Sequence, residues 1–318
     1  MIKYPSIEQF RQVIREVKSR HDFKGKDELG NAIYSHSSDY PTLTFKGTVK
    51  LHGTNAGIVK YKDRIAFQSR ERELTLTSDN AGFMLTMSNL NLDFLFEHIE
   101  FNESIAVYGE WCGGNIQKGV AITGMPKMFV IFGYLVDGFW REIIRANNCK
   151  GIYHIDQFPT FSIDIDFNTP ESSQNKLIEL TISVEQECPV GKSLGVSGIG
   201  EGIVFTCVSD PNLKFKSKGE KHSSSKVKIL NSVNTEEIES INEFVDYAVT
   251  ENRLKQGIEN LKSNGINLHS KNTGDFIKWI IADIVKEETD TIIKNQIDIK
   301  KANGKIAFKA KNWFFNNI

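Results

Sequence analysis

Apolar residues near the start of the chain recur at helical spacing, at Ile7, Phe10, Val13, Ile14 and Val17. They predict an amphipathic helix, and Ser6-Ile7-Glu8-Gln9 has the spacing of a capping box at its start. From about residue 42 the texture changes to short β-rich runs, over Thr42–Val49, Ala56–Tyr61, Arg64–Ser69, Ile105–Trp111, Met128–Val136, Gly202–Val208 and Asn212–Lys216. Gly or charged turns separate several of them, which predicts a mostly antiparallel sheet. Met84, Met87, Leu90, Phe94 and Leu95 interrupt this pattern with helical spacing and predict a core-facing helix over 81–99. Past residue 230 the strand signal ends. Asn234-Thr-Glu-Glu237 can cap a helix carrying Ile238, Ile241, Phe244, Val245 and Ala248, and further helical patterns cover Thr273–Lys286 and run toward Trp313. The expected fold is α+β, with a sheet domain over 1–230 and a small all-α domain over 231–318. The acidic, polar stretch 159–190 reads as a peripheral insertion with a solvated face.

The length of 318 residues suits two domains, and the 40% hydrophobic, 25% charged composition is that of a globular protein. No apolar run approaches the roughly 20 residues that span a bilayer, and MIKYPSIEQFRQV lacks the apolar core of a secretion signal. A cytoplasmic location follows as the expectation, with no membrane partner. Cys112, Cys149, Cys188 and Cys207 form no C-x-x-C pair, so reduced thiols are expected rather than a zinc site. A net charge of −1 argues against a protein that coats nucleic acid over its whole surface. Locally the balance differs: Lys214–Lys228 holds six lysines and one glutamate, enough to track a phosphate backbone.

Lys50 closes the first long strand pattern, ahead of the turn sequence His52-Gly53-Thr54-Asn55. A lysine amine can attack phosphorus if burial or neighbouring cations leave it neutral. Alone, a strand-end lysine is most often just exposed. Lys214 and Lys216 stand two apart, so in a strand both amines share one face. Val190-Gly191-Lys192-Ser193 ends like a phosphate-binding loop, but its first glycine would fall at Gln186, and the pattern is rejected. The run Gly195 to Gly200 does not open a dinucleotide-binding βαβ unit.

The string Lys50-Leu51-His52-Gly53-Thr54-Asn55 resembles the K-x-H-G-T-N motif of the phage-type RNA ligase 2 family, which also includes the kinetoplastid RNA-editing ligases. Further pieces similar to that family follow in order over about residues 45–230. They are Gln68-Ser69-Arg70, Tyr108-Gly109-Glu110 with Gly114-Asn115-Ile116-Gln117-Lys118, Phe129-Val130-Ile131-Phe132, Glu201-Gly202-Ile203-Val204 and Lys214-Phe215-Lys216. The resemblance implies an ATP-grasp-like nucleotidyltransferase domain with Lys50 as the residue that carries AMP. It also implies that His52 meets a phosphate or the RNA end, that Arg70 grips phosphate, and that Glu110 holds the ribose. Phe132 would stack on adenine, and Val49 and Asn55 would lie beside the nucleotide. Glu201 would serve Mg²⁺ or Mn²⁺, and Lys214 with Lys216 would neutralise the triphosphate.

The implied activity is ATP-dependent sealing of RNA 3′-hydroxyl and 5′-phosphate ends, on a nicked duplex, with the C-terminal helices as an RNA clamp. RNA repair is the implied setting, in a host cytoplasm if the chain is phage-encoded. Members of the family often carry Glu where this chain has Val49, and Gly113-Gly114 differs from common versions of the third motif. The alternatives are a DNA ligase, a capping-type guanylyltransferase, or a non-catalytic RNA-binding module. No protein partner can be inferred.

Overall fold

The computed structural model describes residues 1–37, 39–142, 149–222 and 241–317. Its strands are β1 (Glu8–Gln9), β2 (Phe23–Lys26), β3 (Ala32–Tyr34), β4 (Thr42–Lys50), β5 (Gly53–Tyr61), β6 (Ile65–Ser69), β7 (Ser104–Cys112), β8 (Met128–Val136), β9 (Phe139–Arg141), β10 (Ile152–His154), β11 (Thr160–Asp166), β12 (Gly202–Cys207) and β13 (Lys214–Lys218). Its α-helices are α1 (Phe10–Asp22), α2 (Phe83–Met87), α3 (Gln174–Gln186), α4 (Pro189–Ser193), α5 (Ile241–Ala248), α6 (Glu251–Ser263), α7 (Thr273–Glu287), α8 (Thr289–Lys294) and α9 (Ile299–Phe315). None among the described residues is long and apolar enough to cross a membrane.

Two sheets carry the first part of the chain. One runs in the order β1-β13-β12-β4-β11, the other β10-β8-β7-β5-β6 with β9 added to β8. Apart from the parallel pairs β1 with β13 and β10 with β8, the strands in both are antiparallel, as the short, turn-bounded strand runs predict. β4 and β5 belong to different sheets, so Lys50 to Gly53 is the crossing between them.

Phe45, Val49, Ile203, Phe205 and Phe215 of the first sheet pack with Phe10, Val13 and Val17 of α1 and with Leu177 and Val184 of α3. The second sheet buries Ile58, Trp111, Phe129 and Ile131 against Phe83 and Met87 of α2. The C-terminal helices enclose a cluster of their own, including Phe244, Leu254, Phe276, Ile280, Ala302 and Phe314. Within them Arg253 is wholly buried and is satisfied by Asp283 at 2.7 Å and Glu288 at 2.8 Å. Arg15 reaches Asp290 at 2.8 Å, Arg11 reaches it at 3.3 Å, and Lys286 meets Glu8 at 3.4 Å, which ties these helices to the start of the chain.

Three expectations need correction. Glu8 and Gln9 are drawn into β1 beside Phe215 and Lys216, so α1 starts at Phe10 and is capped by Gln9 with Gln12 rather than from Ser6. The helix expected over 81–99 shrinks to α2 and a 3₁₀ turn at Asp93–Leu95. Ala81, Gly82 and His98 have positive φ, and the Asp79 carboxylate fixes the helix start by accepting from the N–H groups of Met84 and Leu85. The stretch 159–190 is no peripheral insertion: β11 is an edge strand paired along β4, and α3 covers the sheet. The capping sequence at Asn234 and the 230/231 boundary lie outside the described residues.

Candidate functional site

Lys50 ends β4, and its amine lies 2.8 Å from Oε2 of Glu201, the residue just before β12. The pairing of Lys50 with Gly202 across β4 and β12 sets this approach. His52 Nδ1 stands 3.2 Å from the same oxygen, and Lys218 Nζ lies 2.9 Å from Oε1. Glu201 is only 2% exposed. Burial alone would favour its neutral form, but Lys218, Lys50 and the contact from His52 hold its carboxyl well below the usual carboxylate range.

Two glycines make this geometry possible. A Cβ on Gly53 would stand 2.4 Å from the Trp111 carbonyl oxygen, so only glycine lets β5 start against β7. Gly202 has φ +152°, and a Cβ there would fall 2.0 Å from the Ser217 carbonyl oxygen. It brings β12 and β13 close enough for Glu201 and Lys218 to meet.

Glu110 projects from β7, opposite Asn55 in the register, and accepts the Gly53 N–H at 3.1 Å. Burial pushes its pKa up to about 7, with Lys50 opposing and Glu201 adding to the shift. Phe132 sits where the β7 to β8 register slips, between the pairs Tyr108–Gly133 and Gly109–Ile131. Strand alternation puts it on the face opposite its neighbour Ile131, on the side of Tyr108. There Tyr4 meets it edge-on, ring centroids 5.0 Å apart, and Tyr4 also packs on Tyr108 at 5.2 Å and Trp140 at 5.8 Å. Ile2 holds this segment down, donating to Gln68 Oε1 at 3.0 Å and accepting from the Tyr108 hydroxyl at 3.0 Å.

The profile of the RNA ligase family matches residues 44–228, more than half of the chain, including Lys50, Glu201 and the whole of β5, β12 and β13. This chain belongs to the RNA ligase family. Among solved structures it is similar to RNA ligases of Naegleria gruberi. A ligand-free variant has 19% identity and a TM-score of 0.44, with 69% of this chain and 56% of that one covered. Another variant, solved with ATP and manganese, has 18% identity and a TM-score of 0.45, covering 69% and 57%. The chain spans a little over half the length of those proteins. No curated protein matches it.

Against the family's motifs, the structure brings Lys50, His52, Glu110 and Glu201 together and leaves others apart. Arg70 follows β6 at the rim, half exposed, with Nη2 3.4 Å from the Ser6 hydroxyl. The Val49 side chain is in the core, leaving only its main chain to face a ligand. Lys216 lies 3.0 Å from Glu287 at the end of α7. Lys214 is at the far end of β13, over the Trp140 ring at 3.9 Å and the Tyr4 ring at 5.3 Å, and burial lowers its pKa to about 8. The β13 lysine that joins Lys50 at Glu201 is Lys218, which the sequence reading passed over. The signal was present, since Lys214, Lys216 and Lys218 alternate and allow two K-x-K registers. Tyr4 was missed as well, because a single aromatic before the first helix has no periodicity to mark it.

A divalent ion has one fitting donor here, the Glu201 carboxylate. No group of three or more His, Cys, Asp or Glu side chains suited to a metal occurs among the described residues. Magnesium commonly keeps one or two protein carboxylates and completes its shell with phosphates and water, and this donor set suits that mode. The phosphate-loop-like Lys192 lies in α4, paired to Glu187 at 2.6 Å. All four cysteines are free thiols.

Proposed function

We propose that this chain is an ATP-dependent RNA ligase that works through a lysyl-AMP on Lys50. The observation that carries the reading is the convergence of Lys50, His52 and Lys218 on the buried Glu201 carboxylate. A strand-end lysine held at an acid and flanked by further cations suits nucleotidyl transfer, where negative charge must be neutralised as phosphorus is attacked. The Lys50 amine displaces pyrophosphate from the α-phosphorus of ATP. AMP then passes to an RNA 5′-phosphate, and a 3′-hydroxyl displaces AMP to form the phosphodiester.

Glu110 receives the ribose hydroxyls, Phe132 stacks on adenine, and Tyr4 closes the far end of that surface. Val49 contributes its main chain beside the base, and Asn55 faces the nick. Lys216 and Lys218 neutralise the phosphates, Arg70 grips the incoming end, and Mg²⁺ or Mn²⁺ at Glu201 offsets charge on the leaving pyrophosphate. Residues 1–230 form the adenylyltransferase domain, and 231–318 form a helical domain that clamps a nicked RNA duplex during RNA repair in the cytoplasm. Sealing rates on matched nicked RNA, DNA and hybrid duplexes test the substrate: fastest sealing of RNA is expected, and a preference for DNA would overturn it.

A further inference from the structure

The last helix, α9, has two unlike sides. Ala302, Ile306, Ala310 and Phe314 are buried against the other helices. On the opposite side Lys301, Lys305, Phe308 and Lys311 are exposed, and Phe308 is 68% open to solvent. The helix holds five lysines and no acidic residue, in a chain whose net charge is −1. Between α9 and α5 runs a groove of about 570 Å³, lined among others by Asn242, Asp246, Lys305, Phe308, Lys309 and Asn312. Lys309 pairs with Asp246 at 2.7 Å and Lys305 with Asn242 at 2.6 Å, which holds both amines along the groove. Gly304 also lines the groove beside Lys305, with open space around it.

We propose that this face of α9 is a docking surface for an RNA strand, with phosphates along the lysines and an unpaired base against Phe308. Charge complementarity selects the occupant. Four residues of helix rise about 6 Å, so Lys301, Lys305 and Lys309 present amines at regular steps to a polyanion. An exposed aromatic ring among such cations is a stacking platform for bases, and the amides of Asn242 and Asn312 offer donors and acceptors to a base edge. The surface rests on the RNA-ligase reading for its biological role but is built from residues outside the Lys50 site.

The test is titration of the full chain with a fluorescein-labelled single-stranded RNA twelve-mer at several salt concentrations, alongside a separate assay of Lys50 adenylylation. Phe308→Ala is expected to weaken RNA binding about five- to tenfold, as removal of one stacked base does. Lys305→Ala with Lys309→Ala is expected to flatten the dependence of log affinity on log salt by about 0.7 for each phosphate no longer neutralised. Adenylylation stays at the parent level in both. RNA affinity and salt dependence unchanged in both variants would overturn the docking surface. Parent protein that forms no adenylate yet loses RNA affinity on Phe308→Ala would instead overturn the catalytic reading and leave this surface standing.

Discussion

Lys216 of β13 and Glu287 of α7 stand 3.0 Å apart, and Glu287 also accepts from the Gln9 side chain. Glu287 is almost wholly enclosed, so a carboxylate from the helical part occupies the lysine proposed to meet the triphosphate. Burial lowers the pKa of Lys216, an effect that Glu287 opposes, while the same pairing holds Glu287 below the usual carboxylate range despite its burial.

On the proposed role of Lys216, ATP and Glu287 compete for one amine. Glu287→Gln, placed in a Lys50→Ala background to prevent turnover, should bind ATP about fivefold or more tightly in a calorimetric titration. The same change should lower unfolding stability by about 1–3 kcal/mol, because a buried charged hydrogen bond is weakened. Unchanged or weaker ATP binding would show that Lys216 does not serve the phosphates.

Glu110 makes a pH-dependent contribution whose sign is opposite to that of most acids. Its folded pKa of about 7 lies above its ordinary 4.5, so between those values the folded state keeps a proton that the unfolded state has lost. Stability from this group is full below pH 4.5, falls as pH rises toward 7, and is then lower by roughly 3 kcal/mol. Glu110→Gln should accordingly unfold at a higher temperature than the parent at pH 8, show little gain at pH 5, and lose adenylylation. A gain of equal size at both pH values would contradict this account.

The three alternating lysines of β13 should separate by function. Lys218→Ala removes a cation from Glu201 and is expected to slow adenylylation by about a hundredfold or more. Lys214→Ala should stay within about tenfold of the parent while costing about 1 kcal/mol of stability, because its amine no longer sits over the Trp140 and Tyr4 rings. Single-turnover adenylylation and thermal unfolding of both variants decide the matter, and a larger catalytic loss for Lys214 would restore the register read from the sequence.

The strands around the site were legible because alternating apolar residues bounded by Gly and charged turns leave few other readings, and Lys50 falls where such a run stops. Residues 81–99 misled because Met84, Met87, Leu90 and Phe94 keep helical spacing while the backbone at Ala81, Gly82 and His98 takes positive φ. Stretch 159–190 looked peripheral because an edge strand such as β11 carries Asp164 and Asp166 on its open side while Ile163 and Ile165 face inward. What no local pattern could show was the meeting of distant residues. Glu287 reaches Lys216 only once α7 lies beside β1, and Tyr4 reaches Phe132 only once Ile2 is clasped by Gln68 and Tyr108. Lys218 was hidden for another reason, since its alternation with Lys214 and Lys216 fits the motif in either register.

Incubation of the protein with α-labelled ATP and Mg²⁺, followed by denaturing electrophoresis, tests the central claim most directly. A covalent label on the parent chain that is absent from Lys50→Ala is the predicted result. No label on the parent, or a label that persists in Lys50→Ala, would contradict the account.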